Sequence, residues 1–154
     1  MKSLVVYYSR TGNTKTVGEA IADALNADIE PITADTEGKG MGRLAMQAVF
    51  NVHAKIGQTT KDASSYDIVV VGTPVWASKM SSPVRTYLAK NKNKFKSVAF
   101  FCTYGGRGSE KVLRSMESFC EKTAEGTLAI LEKDVKSGEY MEKVKRFAAE
   151  LQEP

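Results

Sequence analysis

Most of the marks that would place this chain in a large functional class are missing. It has two cysteines, Cys102 and Cys120, irregularly placed and without a CxxC pair. That excludes a disulfide framework and leaves buried, reduced thiols as the expectation. There is a single histidine, His53, and no cluster of His, Cys and carboxylate at metal-ligand spacing, so no metal is assigned. No GxSxG or comparable nucleophile motif occurs, and no catalytic residue is assigned. No apolar run approaches the roughly 18 to 20 residues of a membrane span. Met1-Lys2-Ser3 leads straight into a strand-like run with no signal-peptide h-region, so the expectation is cytoplasmic. Lys and Arg number 22 against 18 Asp and Glu, a net charge of +4. These cations are dispersed and no nucleic-acid motif accompanies them, which reads as a solvated surface rather than a nucleic-acid interface.

What is present reads as one α/β domain over residues 1–154. Residues 2–8 form a β-rich apolar run stopped by turn residues, predicting a buried strand. Asn13 to Asn26 carries Val17, Ala20, Ile21, Ala24 and Leu25 on one helix face. Asp28 to Ile32 alternates and contains Pro31, as an edge strand can. Thr33 to Gly42 is polar with three glycines and predicts a loop. Met41 to Ile56 repeats Leu44, Ala45, Ala48, Val49, Val52 and Ile56 with helical period, placing His53 on that helix. Asp67 to Gly72 is an unbroken β-branched run, implying burial on both faces at the centre of a parallel sheet. Pro83-Val84 opens a helix with Tyr87 and Leu88 inward, and Ser97 to Cys102 is a further strand. Ser109 is expected to cap a helix burying Val112, Leu113, Met116, Phe119 and Cys120. Thr127 to Leu131 reads as a fifth strand and Tyr140 to Leu151 as a last helix.

Five strands alternating with five helices predict an open parallel sheet with helices on both faces. Ligands of such sheets bind beyond the C-terminal strand ends, at the switch in strand order. That rule selects residues 9–14, 73–82 and 102–108. The first, Ser9-Arg10-Thr11-Gly12-Asn13-Thr14, gathers hydroxyls and backbone N–H groups at a helix start, a natural anion seat. It has neither the spacing of a Walker loop nor the three glycines of a dinucleotide fingerprint. Alone it reads equally as an ordinary helix cap. The second loop carries the chain's only tryptophan, Trp76, a residue that packs in a core or covers a planar ring. Its place past a central strand favours the ring. The third offers Tyr104 with Gly105, Gly106 and Gly108, where backbone N–H groups can approach a ligand edge closely.

With those loops in hand, the sequence resembles the flavodoxin family. Tyr8 to Thr14 looks like that family's phosphate signature, and Gly72-Thr73-Pro74-Val75-Trp76 like its ring-contacting loop. The third loop matches by position and glycine content. The resemblance implies a doubly wound three-layer sandwich with strand order 2-1-3-4-5 and FMN as cofactor. It implies that Ser9, Thr11, Asn13 and Thr14 bind the phosphate, with Gly12 shaping the turn. Trp76 would stack on the isoalloxazine ring, Tyr104 would approach its other side, and Val75, Ala77, Thr103, Gly105 and Gly106 would line its pyrimidine edge and N5. Arg10, Thr73, Pro74 and Ser78 complete the cofactor-binding set. The implied function is an electron-transfer carrier. The alternative is an NAD(P)H-dependent quinone or flavin reductase of the same fold, which the positive charge and the glycine-rich 33–42 stretch favour. The corresponding partners are redox proteins, or a small quinone or nicotinamide substrate. A receiver domain lacks support, because no acidic residue stands at the ends of the first and third strands.

Two departures from the family bear on redox tuning. The loops carry Arg10, Lys15, Lys79, Arg85 and Arg107, while residues 73–108 contain no Asp or Glu. Ala77 stands where relatives often have glycine, and a peptide flip there needs φ > 0, costly for alanine. The expected result is a less negative potential for the second electron than an acidic flavodoxin has, with little neutral half-reduced flavin accumulating. A photoreduction titration checks both.

Overall fold

The computed structural model describes residues 1–34, 40–50 and 53–154. Among the described residues six strands and six α-helices follow in chain order: β1 Ser3–Tyr7, α1 Asn13–Leu25, β2 Asp28–Pro31, α2 Met41–Val49, β3 Ile68–Trp76, β4 Lys79–Met80, α3 Ser82–Asn91, β5 Val98–Tyr104, α4 Ser109–Cys120, β6 Thr127–Leu131, α5 Glu132–Ser137 and α6 Tyr140–Gln152. Five strands are parallel in the order β2-β1-β3-β5-β6, and the short β4 pairs antiparallel with the end of β3. Counting the parallel strands alone, this is the expected order 2-1-3-4-5.

Alternation within the central strands supplies two cores. Leu4 and Val6 of β1, Val69 and Val71 of β3, and Val98, Phe100 and Cys102 of β5 face one layer. There they meet Leu44 and Ala48 of α2, Tyr87 and Leu88 of α3, and Val112 and Met116 of α4. Val5, Val70, Ala99 and Phe101 face the other, against Val17 and Ile21 of α1 and Val144 and Phe147 of α6. Strands buried on both faces need no polar position, which is why these runs read as continuously apolar.

Several boundaries differ from those read off the sequence. β3 runs four residues past Gly72, because Thr73 and Pro74 still pair with Cys102 and Thr103 of β5. α2 stops at Val49 rather than near residue 56. His53 lies beyond it, exposed, and Ile56 forms an antiparallel bridge with Ala34. The Ala54 carbonyl accepts from the Thr86 hydroxyl at 2.8 Å, and this extended segment is tied to α3 instead of continuing the helix. Val49, expected inside, is 42% exposed. Half of the predicted 33–42 loop, residues 35–39, lies outside the described residues, as does Val52. Gly108, at φ 96°, occupies the cap position of α4, and Ser109 is its first helical residue with no capping bond. The short α5 was not anticipated, since six residues give too little periodicity to read.

Gly72 is fixed by packing. A Cβ there would lie inside the ring of Phe101, which is itself fully buried. Gly72→Ala is expected to destabilise the protein by about 2 kcal/mol or more in urea unfolding, as overpacked cores do. Phe101→Leu in the same chain should recover part of that loss.

Candidate functional site

The strand order reverses between β1 and β3, so the crevice at their C-terminal ends is the place the architecture reserves for a ligand. The chain leaves β1 through Tyr8 and turns at Gly12, whose φ of 103° belongs to the left-handed region. Nothing crowds a Cβ there, so the demand for glycine is conformational alone. The Gly12 N–H donates to Ser9 Oγ at 3.1 Å, and the Gly12 carbonyl accepts from Thr16 Oγ1 at 2.9 Å. No side chain caps α1. The positive end of that helix is therefore available to an external acceptor. Thr14, buried, shares a hydroxyl–hydroxyl bond of 2.7 Å with Thr103 near the end of β5. The bond ties the first loop to the third across the end of β3.

These elements enclose a cleft of about 80 Å³. From the first loop it takes Arg10, Thr11, Asn13 and Thr14. Pro74, Val75 and Trp76 come from the end of β3, and Thr103 from β5. The cleft matches a phosphate-sized group and is far below the roughly 300 to 1,000 Å³ of a pocket that swallows a whole ligand. Its donor set, hydroxyls and an arginine at an uncapped helix start, is suited to an anion.

The other expected residues sit around it in different roles. Ser9 closes the turn. Thr73 is fully buried, and its hydroxyl accepts from the Ser81 N–H at 2.9 Å, so it secures the hairpin rather than facing the cleft. Ala77 and Ser78 are the two central residues of that hairpin, at φ 50° and 61°. Gly105 and Gly106 are exposed, and Tyr104 is half-buried at the end of β5. Trp76 is 3% exposed and meets Tyr8 edge-on, ring centroids 5.7 Å apart at 85°. It packs in the core and gives the cleft only a margin, so this side chain does not present an open face.

Two lining residues escaped the sequence reading, Met41 and Glu132. Glu132 opens α5 directly after β6, whose C-terminal end lies at the same sheet edge; the sheet rule applied to that fifth strand would have found it. Met41, at the start of α2, carries no such signal. Glu132 also changes the electrostatics, because it brings a carboxylate to a site whose nearby loops have none. The cations scatter as well. Lys15 pairs with Glu19 at 3.9 Å on exposed α1, and Arg85 lies over the Phe119 ring, 4.6 Å from its centroid, where burial lowers its pKa. Neither belongs to the cleft. The thiols are equally remote from chemistry. Burial pushes Cys102 up to about 12 and Cys120 to about 11, so both are protonated at neutral pH. A larger groove of about 460 Å³ between α1 and α6 mixes Ala20, Ala24, Met141 and Val144 with Glu19, Asp23, Tyr140 and Lys145, and lies away from the C-terminal strand ends where the three loops meet.

Residues 2–146 match the profile of the flavodoxin family. The chain belongs to that family. An "NAD(P)H dehydrogenase (quinone)" of Cupriavidus metallidurans is 32% identical over 93 residues, 56% of this chain and 45% of the relative. The chain thus spans about half the length of the curated relatives it matches. Among solved structures, a Lactobacillus acidophilus flavoprotein in complex with FMN superposes with a TM-score of 0.75 at 23% identity, covering 88% of this chain and 97% of that one. Two-electron reduced Megasphaera elsdenii flavodoxin gives 0.61 at 21% identity, with 96% and 98% covered. These two likenesses are of fold.

The hairpin holds Ala77 where glycine or asparagine is the usual choice. Ala77→Gly is expected to stabilise the protein by about 0.5 to 1 kcal/mol in urea unfolding. A loss of stability would mean that the left-handed turn costs this alanine nothing.

Proposed function

We propose that this chain binds FMN and transfers electrons through it. The observation that carries the reading is the uncapped start of α1 opening on a small anion-suited cleft at the β1/β3 switch point, locked by the Thr14–Thr103 bond. The cleft takes the phosphate. Thr11, Asn13 and Thr14 hold it by backbone N–H groups and hydroxyls, Arg10 supplies positive charge, and Gly12 permits the turn. The flavin ring would lie outside the 80 Å³ cleft, with the Val75–Ser78 hairpin, the 103–106 loop and Tyr104 as the groups to hold it. When bound, the cofactor supplies one- and two-electron redox chemistry, and the protein positions and tunes it. Glu132 opposes the phosphate charge and sets an upper limit on how tightly the seat binds. The protein acts as a cytoplasmic carrier between redox partner proteins.

A second reading, a flavin-dependent NAD(P)H–quinone reductase, is favoured by the names of the curated relatives at 30% and 32% identity. Steady-state oxidation of NADPH by the isolated protein with a quinone acceptor separates the two; a carrier shows none.

The flavin reading is checked by adding FMN to the purified protein and following the visible spectrum and flavin fluorescence. Saturable quenching at unit stoichiometry is expected, and its absence sinks the proposal. Thr11→Val should weaken FMN at least about tenfold, the worth of a hydrogen bond to a charged group. It should leave riboflavin, which lacks the phosphate, nearly unchanged.

A further inference from the structure

Beyond the phosphate cleft, the third loop borders a second depression of about 370 Å³ over the first two turns of α4. Lys111 and Arg114 line it from one side of α4, three residues apart, and Arg107 lines it from the loop before the helix. Among the described residues none of the three is in an ion pair. Ser109 adds a hydroxyl, and Glu110 is the one carboxylate in the lining. Tyr104 and Gly106 form the wall on the side of the proposed flavin site. Tyr104 directly follows Thr103, which lines the phosphate cleft, so the two depressions share the third loop.

Three unpaired cations close together on an exposed surface raise the local positive potential and so favour an anion there. The planar guanidinium forks of Arg107 and Arg114 suit phosphate oxygens in particular. The depression is open, and its volume falls within the range of small-ligand sites. We propose that the groove binds the adenosine-side phosphates of a nicotinamide dinucleotide phosphate, and that Arg107, Lys111 and Arg114 select the 2′-phosphorylated dinucleotide over the unphosphorylated one. This rests on the reductase reading of the flavin site. A dinucleotide anchored over α4 extends past Tyr104 toward the ring held by the hairpin and the third loop. The 2′-phosphate, carrying nearly two negative charges at neutral pH, meets a lining with a net two positive ones.

The test titrates NADP⁺ and NAD⁺ into FMN-loaded protein by calorimetry at about 150 mM salt, and 2′,5′-ADP into flavin-free protein. NADP⁺ should bind at least about tenfold more tightly than NAD⁺, the discrimination expected of charge-assisted bonds to one phosphate. Lys111→Ala/Arg114→Ala should abolish that preference while leaving FMN affinity unaltered. Lys136→Ala/Lys145→Ala, which removes two charges around α5 and α6, should retain it. Equal affinities for NADP⁺ and NAD⁺ overturn the assignment, as does a preference that survives in the α4 double variant. Binding of polyglutamate without binding of 2′,5′-ADP also overturns it and gives the groove to an acidic protein. If FMN fails to bind while 2′,5′-ADP binds and the α4 variant loses it, the flavin reading falls and the phosphate assignment for the groove stands.

Discussion

The constraint on which the rest of the structure depends is that β1, β3 and β5 are buried on both faces at once. A strand in that position has no side-chain freedom to spend on function, so its chemistry must appear where it ends. Register makes those ends coincide: Tyr7 lies opposite Gly72, and Pro74 opposite Thr103. The tight fit of Gly72 over Phe101 holds the central pair close just below the point where the three loops emerge. The Thr14–Thr103 bond then closes the top of the same stack. Its two hydroxyls are 89 residues apart in the chain and 2.7 Å apart in space. The cleft is thus a product of sheet register before it is a product of any one loop.

That origin explains what could be read in advance. Continuous apolar runs at 68–71 and 98–102 announce doubly buried strands, and the alternation with helices announces their topology. The strand-to-helix turn at 9–14 was legible from its Ser, Thr, Asn and Gly, although that composition alone also suits an ordinary helix cap. Trp76 was not, because sequence position says that a tryptophan lies near a strand end and not which face of the hairpin it takes. Pairing with β4 turned it inward onto Tyr8. α2 was over-extended for a related reason: its apolar period continues past Val49, but the competing bond from Thr86 to Ala54 and the Ala34–Ile56 bridge are tertiary facts that no local pattern carries.

Charge shows the same limit more sharply. Counting cations by loop gives a uniformly positive site, yet helix geometry carries Arg85 to the α3–α4 contact and Lys15 onto a solvated i,i+4 pair. Exposed pairs of that kind contribute little at physiological salt. What remains near the cleft is Arg10 facing the same space as Glu132, a more balanced field than the sequence suggests. Any argument from net charge to a flavin potential therefore weakens once positions are known, and the tuning shifts to individual groups.

The hairpin is where that tuning has most leverage. Ala77 and Ser78 already occupy the left-handed region that the sequence reading treated as a cost to be met on reduction. Ser78 also packs against Gly108, whose missing Cβ leaves it room. Glycine at position 77 would relieve the cost of alanine in that region, while the Ser78–Gly108 contact keeps the turn in place. A flavin placed there would meet a turn whose φ angles are already positive. The protein then favours whichever state best fits that arrangement. On the proposed reading the tuning would rest on this hairpin and on Arg10 and Glu132, the two charged residues of the cleft lining.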